Sequence, residues 1–435
     1  MLKKQKNNNL KFQSRIFIIL LALAFLSLSC GGGGGGRKES VTLTVWKTFE
    51  DSQNLQGILQ AYRKLRPNVN IVYTKKNVET YEEDLLNALA SGTGPDIFSI
   101  HNSWLPKYTD KLVPAPGTIW QFTDYKNSFV DVAVNDFTKD GQIYSAPMYV
   151  DSLALYYNKD LMGTVGIATP PKTWSELEDD VRILKRSDSR GYFTRSGVAI
   201  GTNSNVNRAV DILYLLMLQK GTAPFNQYGQ PNFSSSQYVG GNYTNPGAEA
   251  LSYYTSFASP SSLNYNWNLR SDYSVDAFAN GRAAYLISYS YMRDTILQKA
   301  PNLNFDVAQV PQPNLESPTV NFANYWGEAV SKQSKNSDYA WDFIKFLTSR
   351  ESLDMYYAEN KLPSSRKDLV ELQISDPDIG VFAHANLTAK NFYRPDQVKM
   401  DGIFGQVIDN VILNGFSAQE SLSQAQQQTS ALLRE

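Results

Sequence analysis

Aromatic and hydrogen-bonding side chains follow the ends of several predicted strands. The residues of this kind are Trp46, Asp51, Asn102, Ser103, Asn203, Tyr289 and Tyr291. In open α/β sheets, ligands bind beyond the carboxyl ends of the strands. Aromatic rings stack on the apolar CH faces of a polyhydroxylated molecule, and carboxylates and amides form hydrogen bonds with its hydroxyl groups. The pattern therefore predicts non-covalent binding of such a molecule. For His101, which follows the third strand, core packing and ligand contact are both left open.

The chain offers little material for catalysis or metal binding. It has one cysteine, Cys30, and two histidines, His101 and His384. A single thiol excludes a zinc site with several cysteines, and neither Gly-x-Ser-x-Gly nor His-Glu-x-x-His occurs. We predict no catalytic residues, no metal site and no cofactor. A glycoside hydrolase stays open as an alternative, because its pair of carboxylates has no local sequence signature.

Composition excludes two further classes of protein. Hydrophobic residues make up 42% of the 435 residues, which is enough for a substantial core and excludes global disorder. The formal net charge is -1, so no basic excess indicates nucleic-acid binding.

The N-terminus has the pattern of an export signal. Lysines and an arginine precede the apolar run Ile16–Leu28, and Ser29 and Cys30 follow it. The pattern resembles a bacterial lipoprotein signal, which implies lipidation of Cys30 and anchoring to the cell membrane, in the periplasm or at the outer cell surface. An ordinary cleaved signal is the alternative. We predict a signal peptide over 1–30 and a flexible tether over 31–40, which contains the glycine run Gly31–Gly36.

Hydrophobic periodicity indicates alternating strands and helices after the tether. Val41–Trp46, Val69–Tyr73 and Asp96–His101 are predicted strands, and each of the two intervals between them contains a helical pattern. This β-α-β-α-β order predicts a parallel sheet with right-handed crossovers. Later strands are predicted over Leu153–Asn158, Val198–Gly201, Ala283–Ser288, Phe305–Val310 and Asn324–Ser331.

Several motifs follow one another in an ordered series over Val41–Leu433. They include Gly94-Pro95-Asp96-Ile97-Phe98, Tyr156-Tyr157-Asn158-Lys159-Asp160-Leu161, Phe278-Ala279-Asn280-Gly281-Arg282-Ala283-Ala284 and Ala340-Trp341-Asp342-Phe343-Ile344-Lys345-Phe346-Leu347. This series resembles the maltose-binding-protein-like family of extracellular solute-binding proteins. The resemblance implies an α/β, two-lobed periplasmic-binding-protein-like fold with a ligand cleft between the lobes. The first lobe is expected over 41–150 and 309–349, and the second over 151–308 and 350–435. The three crossings are expected near Tyr149–Asp151, Val307–Pro311 and Leu347–Ser352.

The resemblance also implies a function and site residues. The expected function is capture of a sugar outside the cytoplasm by a monomer that delivers it to the permease of an ABC importer. A peptide, a polyamine and a phosphorylated polyol are the alternative ligands. Motif positions add Asp151, Trp326 and Phe404 to the site and support Asp51, Ser103 and Tyr291.

Overall fold

A computed structural model describes residues 39–239 and 242–434 of the chain. The predicted signal peptide and its Cys30 lie outside the described residues. Thr42–Glu435 form one compact unit, to which all elements below belong apart from the first residue of strand β1. In the part of the chain that is described, no helix combines the length and the apolar character needed to cross a membrane.

Strands and helices alternate through most of the chain. The first segment contains β1 (Val41–Lys47), α1 (Gln56–Leu65), β2 (Val69–Lys75), α2 (Tyr81–Ala90), β3 (Ile97–His101), α3 (Leu105–Tyr108), α4 (Phe122–Ser128), α5 (Asp131–Phe137), β4 (Thr138–Lys139), β5 (Gln142–Ile143) and β6 (Ser145–Ala146). The second contains β7 (Asp151–Ser152), β8 (Ala154–Asn158), α6 (Lys159–Gly163), α7 (Trp174–Leu184), β9 (Arg186–Ser187), β10 (Phe193–Val198), α8 (Ala209–Gln219), β11 (Gln237–Val239), β12 (Asn242–Thr244), α9 (Pro246–Ser256), α10 (Ser274–Ala279), β13 (Ala283–Ser288), α11 (Met292–Lys299) and β14 (Phe305–Gln309). The third contains β15 (Asn321–Asn324), β16 (Trp326–Val330), α12 (Ser337–Leu347), α13 (Arg350–Asn360), α14 (Lys367–Gln373), α15 (Gly380–Asn386), β17 (Ala389–Lys390), α16 (Gln397–Asn414) and α17 (Ala418–Leu432).

Two five-stranded sheets form the centres of two lobes. The first sheet has the order β2-β1-β3-β16-β6, and the second has the order β14-β8-β13-β10-β9. The predicted parallel pairing of β1 with β3 is present. All six residues of β13 are buried, which is the pattern of a strand that is covered on both faces of its sheet. The prediction of a two-lobed α/β fold is confirmed.

A small three-stranded sheet, with the order β17-β15-β7, lies where the chain passes between the lobes. We refer to it as the hinge sheet. Asn324 on β15 pairs with Asp151 on β7 in antiparallel register, and Ala323 pairs with Ser152. Directly after β15, the chain enters the first sheet through β16. The sequence predicts one strand over Asn324–Ser331, whereas the structure has two strands that are separated at Tyr325.

Helix α13 and the segment after β14 make contacts near two of the expected lobe boundaries. Helix α13 packs against α1 of the first lobe, and α14 packs against both α4 and α15. Two side-chain hydrogen bonds join α13 to the first lobe. Asn54 Nδ2 donates to Asn360 Oδ1 at 2.5 Å, and the Tyr356 hydroxyl donates to Glu50 at 3.4 Å. Gln312 forms a bridge with Thr173, so the chain still contacts the second lobe directly after the crossing that is expected near Val307–Pro311.

Candidate ligand-binding site

Two adjoining cavities lie between the lobes, and together we call them the cleft. The inner cavity, of about 340 Å³, is lined by Phe49, Tyr149, Asp151, Arg208, Tyr289, Tyr291, Asn324, Tyr325, Trp326 and Leu362. The outer cavity, of about 210 Å³, shares Phe49, Tyr149, Tyr291 and Leu362 with it. Elements of both lobes and of the hinge sheet therefore contribute to one concave surface.

Trp326, the first residue of β16, forms the centre of the first-lobe wall. Its indole packs edge-on against Phe49, Tyr81, His101 and Trp104, with ring centroids 4.9–5.8 Å away. Phe49, which follows β1, is 47% exposed and turns an apolar ring to the cleft. The wall is thus an aromatic surface that is held in place by further aromatic rings from behind.

Tyr289 and Tyr291, which follow β13, form the second-lobe wall. Their rings lie 6.1 Å apart and are inclined by 21°. The Arg208 guanidinium donates to the Tyr291 hydroxyl from Nε at 2.9 Å and from Nη2 at 2.7 Å. The Tyr289 hydroxyl donates to Asp211 at 2.8 Å. These contacts fix both rings while Tyr291 keeps 41% of its surface exposed for a ligand.

Arg208 has an unusual backbone conformation. Its φ of 59° lies in the left-handed region, where a non-glycine residue is uncommon and strained. The residue directly precedes helix α8, and its guanidinium lies 5.5 Å from the centre of the Tyr289 ring. The strained backbone therefore places a cation beside both tyrosines of the second-lobe wall.

Asp151 lies at the floor of the cleft, on strand β7 of the hinge sheet. It is 4% exposed, and it accepts hydrogen bonds from the backbone N–H of Ser290 at 3.0 and 3.1 Å and from the Ser290 hydroxyl at 2.8 Å. Burial raises the pKa of Asp151 to about 7, although the Ser290 hydrogen bonds oppose this rise. The carboxylate therefore joins the hinge sheet to the loop that carries Tyr289 and Tyr291.

A buried ionic cluster supports the first-lobe wall. The Lys47 ammonium contacts Glu328 and lies 3.4 Å from Glu50, and Ser99 Oγ donates to Glu328 at 2.9 Å. Although burial alone lowers the pKa of Lys47, the two carboxylates outweigh burial and raise it above its ordinary value. Glu50 also lines the outer cavity. The cluster thus fixes a carboxylate at the edge of the cleft.

Four of the residues predicted for the site line the cleft together: Asp151, Tyr289, Tyr291 and Trp326. Asn102 and Ser103 are buried behind its first-lobe wall. Asn102 Nδ2 donates to Asp136 at 3.1 Å, and Ser103 Oγ lies 2.8 Å from Nδ1 of His101. Both residues lie in the layer behind the cleft-lining side chains.

The other predicted residues lie away from the two cavities. Trp46 packs under the Lys76 ammonium, which is 3.9 Å from the ring centre, and the exposed Asp51 forms an ion pair with Lys75 at 3.0 Å. Asn203 Nδ2 donates to Asp409 at 2.9 Å. Phe404 is fully buried against Tyr214, Phe233 and Phe392, so its ring is part of the second-lobe core.

Several cleft residues were not predicted from the sequence as site residues: Phe49, Tyr149, Arg208, Asn324 and Leu362. Phe49 and Asn324 had a usable signal, because the first lies inside the stretch after β1 and the second lies at a predicted strand start. Leu362 had none, since it lies in a loop that tertiary contacts bring to the cleft. Among the described residues, no group of His, Cys, Asp and Glu has the arrangement of a metal site.

Two lobes with aromatic walls that face one cleft define a ligand-binding protein of the two-lobed solute-binding class. Residues 46–353 match the family described as bacterial extracellular solute-binding protein. The chain belongs to this family, and its location is therefore extracytoplasmic.

Individual binding proteins are similar to this chain over most of its length. A binding protein of Brucella abortus is 24% identical over 339 residues, 75% of this chain and 76% of its own length. The maltotriose-binding protein of Pyrococcus abyssi is 22% identical over 389 residues, 85% of this chain and 77% of its own. The structure of a cyclo/maltodextrin-binding protein complexed with maltotetraose superposes with a TM-score of 0.75 at 20% identity, over 92% of this chain and 98% of that one. The shared fold is thus that of a solute-binding protein.

Proposed function

We propose that this protein captures a carbohydrate outside the cytoplasm and delivers it to the permease of an ABC importer. The observation that carries the proposal is the pair of facing aromatic walls, Trp326 with Phe49 and Tyr289 with Tyr291. Such walls suit the apolar CH faces of a sugar ring, and Asp151 at the floor suits its hydroxyl groups. The maltotriose-binding relative and the structural neighbour with bound maltotetraose support a carbohydrate as the ligand.

The charges of the cleft favour a neutral ligand over a phosphorylated polyol. Its lining contains four carboxylates, Glu50, Asp151, Asp294 and Asp378, and three cations, Arg208, Arg293 and Lys361. Two of the cations are already paired, because Arg293 and Lys361 lie 2.5 and 2.9 Å from the Asp378 carboxylate. A phosphoryl group needs several unpaired cations, which this lining does not supply.

We propose that the protein holds the sugar without changing it chemically. Both oxygens of Asp151 accept hydrogen bonds from Ser290, so this carboxylate has a structural partner that a catalytic base or nucleophile would have to give up. Glu50 is likewise held beside Lys47. Chromatography of a bound oligosaccharide after long incubation tests this point, and product that disappears with Asp151→Asn would establish a hydrolase instead.

The remaining parts of the proposal concern location and assembly. We propose that Cys30 carries the lipid anchor, that residues 31–40 are the tether, and that the protein acts as a monomer. We also propose a first lobe over 41–150 and 309–349 and a second lobe over 151–308 and 350–435, with α13 moved to the first lobe because it packs against α1.

Isothermal titration calorimetry against a panel of ligands tests the function. The panel contains glucose, maltose, maltotriose and unrelated disaccharides, with spermidine, a tripeptide and glycerol 3-phosphate as the non-sugar group. We expect saturable binding by at least one sugar and by no member of the non-sugar group. Binding that is confined to the non-sugar group would overturn the proposal.

A further inference from the structure

Asn324 lies beside Asp151 at the floor of the cleft. The two residues are directly opposite each other in the antiparallel pairing of β15 with β7. Opposed residues of an antiparallel pair place their side chains on the same face of the sheet, with Cβ atoms about 4.5–5.5 Å apart. Both side chains line the inner cavity. A carboxylate and an amide therefore reach the cleft side by side.

The hydrogen bonds of His101 determine which end of the Asn324 amide is occupied. Nδ1 of His101 accepts from the backbone N–H of Ser103 at 3.2 Å, and the Ser103 hydroxyl lies 2.8 Å from the same atom. A nitrogen that accepts from a backbone N–H carries no proton, so the proton of the neutral ring is on Nε2. Burial holds the pKa of His101 well below its usual value, which keeps the ring neutral.

Nε2–H of His101 then donates to Oδ1 of Asn324, across 3.1 Å. The reverse orientation of the amide would bring two donors together, and it is therefore disfavoured. Nδ2 of Asn324 forms no hydrogen bond with any described residue, and the residue is only partly buried. The amide group that remains for a ligand is thus the NH₂ donor.

We propose that Asn324 donates a hydrogen bond from Nδ2 to a ligand oxygen, and that His101 is the positioning residue that sets this polarity. Asp151 beside it is an acceptor, so the pair presents one acceptor and one donor to neighbouring hydroxyl groups. A vicinal diol fits this arrangement, with one hydroxyl donating to Asp151 and the next accepting from Asn324. The assignment rests on the proposed carbohydrate function and names the chemical group that the floor of the cleft recognises.

The first test measures binding on the wild-type protein, and a variant is used only to assign one signal. Side-chain NH₂ signals are recorded by ¹⁵N–¹H NMR during titration with maltotriose, or with the tightest-binding sugar of the panel if maltotriose does not bind. The Asn324 signal is assigned from its loss in Asn324→Ala. We expect this NH₂ pair to shift at saturation. An unshifted pair in the presence of bound sugar would refute the assignment and leave the proposed function intact.

The second test combines variants with monodeoxy analogues of the same sugar. We expect Asn324→Ala to bind about tenfold more weakly than wild type, which is the scale of one hydrogen bond. One deoxy analogue should bind wild type more weakly than the parent sugar does, and Asn324→Ala should not weaken the binding of that analogue further. If Asn324→Ala lowers the affinity for every analogue by the same factor, Asn324 does not contact a particular hydroxyl and the assignment is contradicted.

The same analogues test the positioning role of His101. His101→Leu removes the donor to Oδ1, and we expect it to abolish the discrimination between the parent sugar and that analogue. His101→Gln keeps an amide donor, and we expect it to restore the discrimination. A His101→Leu protein that retains full discrimination refutes the positioning role. If no sugar of the panel binds wild type, the proposed function fails, and this assignment fails with it.

Discussion

Replacing Tyr291 by alanine should weaken sugar binding far more than it weakens folding. A fully buried aromatic side chain covers ~200 Å², and Tyr291 is 41% exposed, which leaves ~80 Å² for a ligand to cover. At ~25 cal/mol per Å², the lost burial amounts to ~2 kcal/mol of binding free energy, or about a 30-fold rise in Kd. Calorimetric titration with the best sugar of the panel measures the Kd, and thermal melting measures stability.

Tyr273 supplies a matched control for this variant. It is 43% exposed, directly precedes helix α10 as Tyr291 precedes α11, and its hydroxyl accepts a hydrogen bond from Asn207 at 2.9 Å. It does not line either cavity of the cleft. Tyr273→Ala should therefore melt about as Tyr291→Ala does and bind as wild type does. Unchanged affinity in Tyr291→Ala, together with equal melting of the two variants, would refute our placement of the ligand.

Three further predictions concern the anchor and two buried carboxyl groups. Cys30→Ala should release the folded protein from the membrane fraction, because we propose that the lipid alone holds it there; a variant that still sediments with membranes would contradict the anchor. Affinity should fall severalfold as the pH drops from 8 to 6, because protonation of Asp151, whose pKa is about 7, removes a charged acceptor; calorimetry at both pH values should show a flat response in Asp151→Asn. Burial also raises the pKa of Asp136 to about 7, above the pKa that the same group has in an unfolded chain. The stability that Asp136 contributes is therefore fully present below about pH 4 and is lost as the pH rises through 7. Urea unfolding at pH 5 and 7.5 should therefore show that the free energy of unfolding falls more steeply with pH in wild type than in Asp136→Asn, by up to ~1.4 kcal/mol per pH unit. An equal fall in the two proteins would contradict this prediction.

The sequence predicted the strand ends that meet the cleft better than the direction in which their side chains point. The strand-end rule identified Tyr289 and Tyr291, because β13 ends where the sequence predicts and its loop is short. The same rule was wrong about the direction of the Trp46 side chain. Successive residues of a strand face opposite sides of the sheet, and the side that faces inward is occupied by Lys47 rather than Trp46. The ionic partner Glu328, which makes this burial of a lysine possible, lies 281 residues away.

Helical and loop positions were less predictable for a different reason. Phe404 lies on α16 among aromatic residues of distant segments, and no local pattern distinguishes a core ring from a ligand contact. The packing of α13 on the first lobe depends on hydrogen bonds of Asn360 and Tyr356 to Asn54 and Glu50, about 300 residues earlier. Contacts of such sequence separation leave no periodic signal, so the sequence could not indicate the packing of α13 against α1.

The position of the cleft relative to the hinge sheet explains how binding can be coupled to movement of the lobes. The aromatic walls belong to different sheets, and the hinge sheet lies between those sheets in the chain path. A ligand that touches both walls interacts fully only when the lobes are close together, so its binding shifts the population toward that arrangement. Asp151 links a hinge strand to the second-lobe wall, because it accepts hydrogen bonds from Ser290, which lies between Tyr289 and Tyr291. Substitutions at Asp151 should therefore alter the movement of the second-lobe wall as well as the contact with the ligand, whereas substitutions at Tyr291 should alter the contact alone.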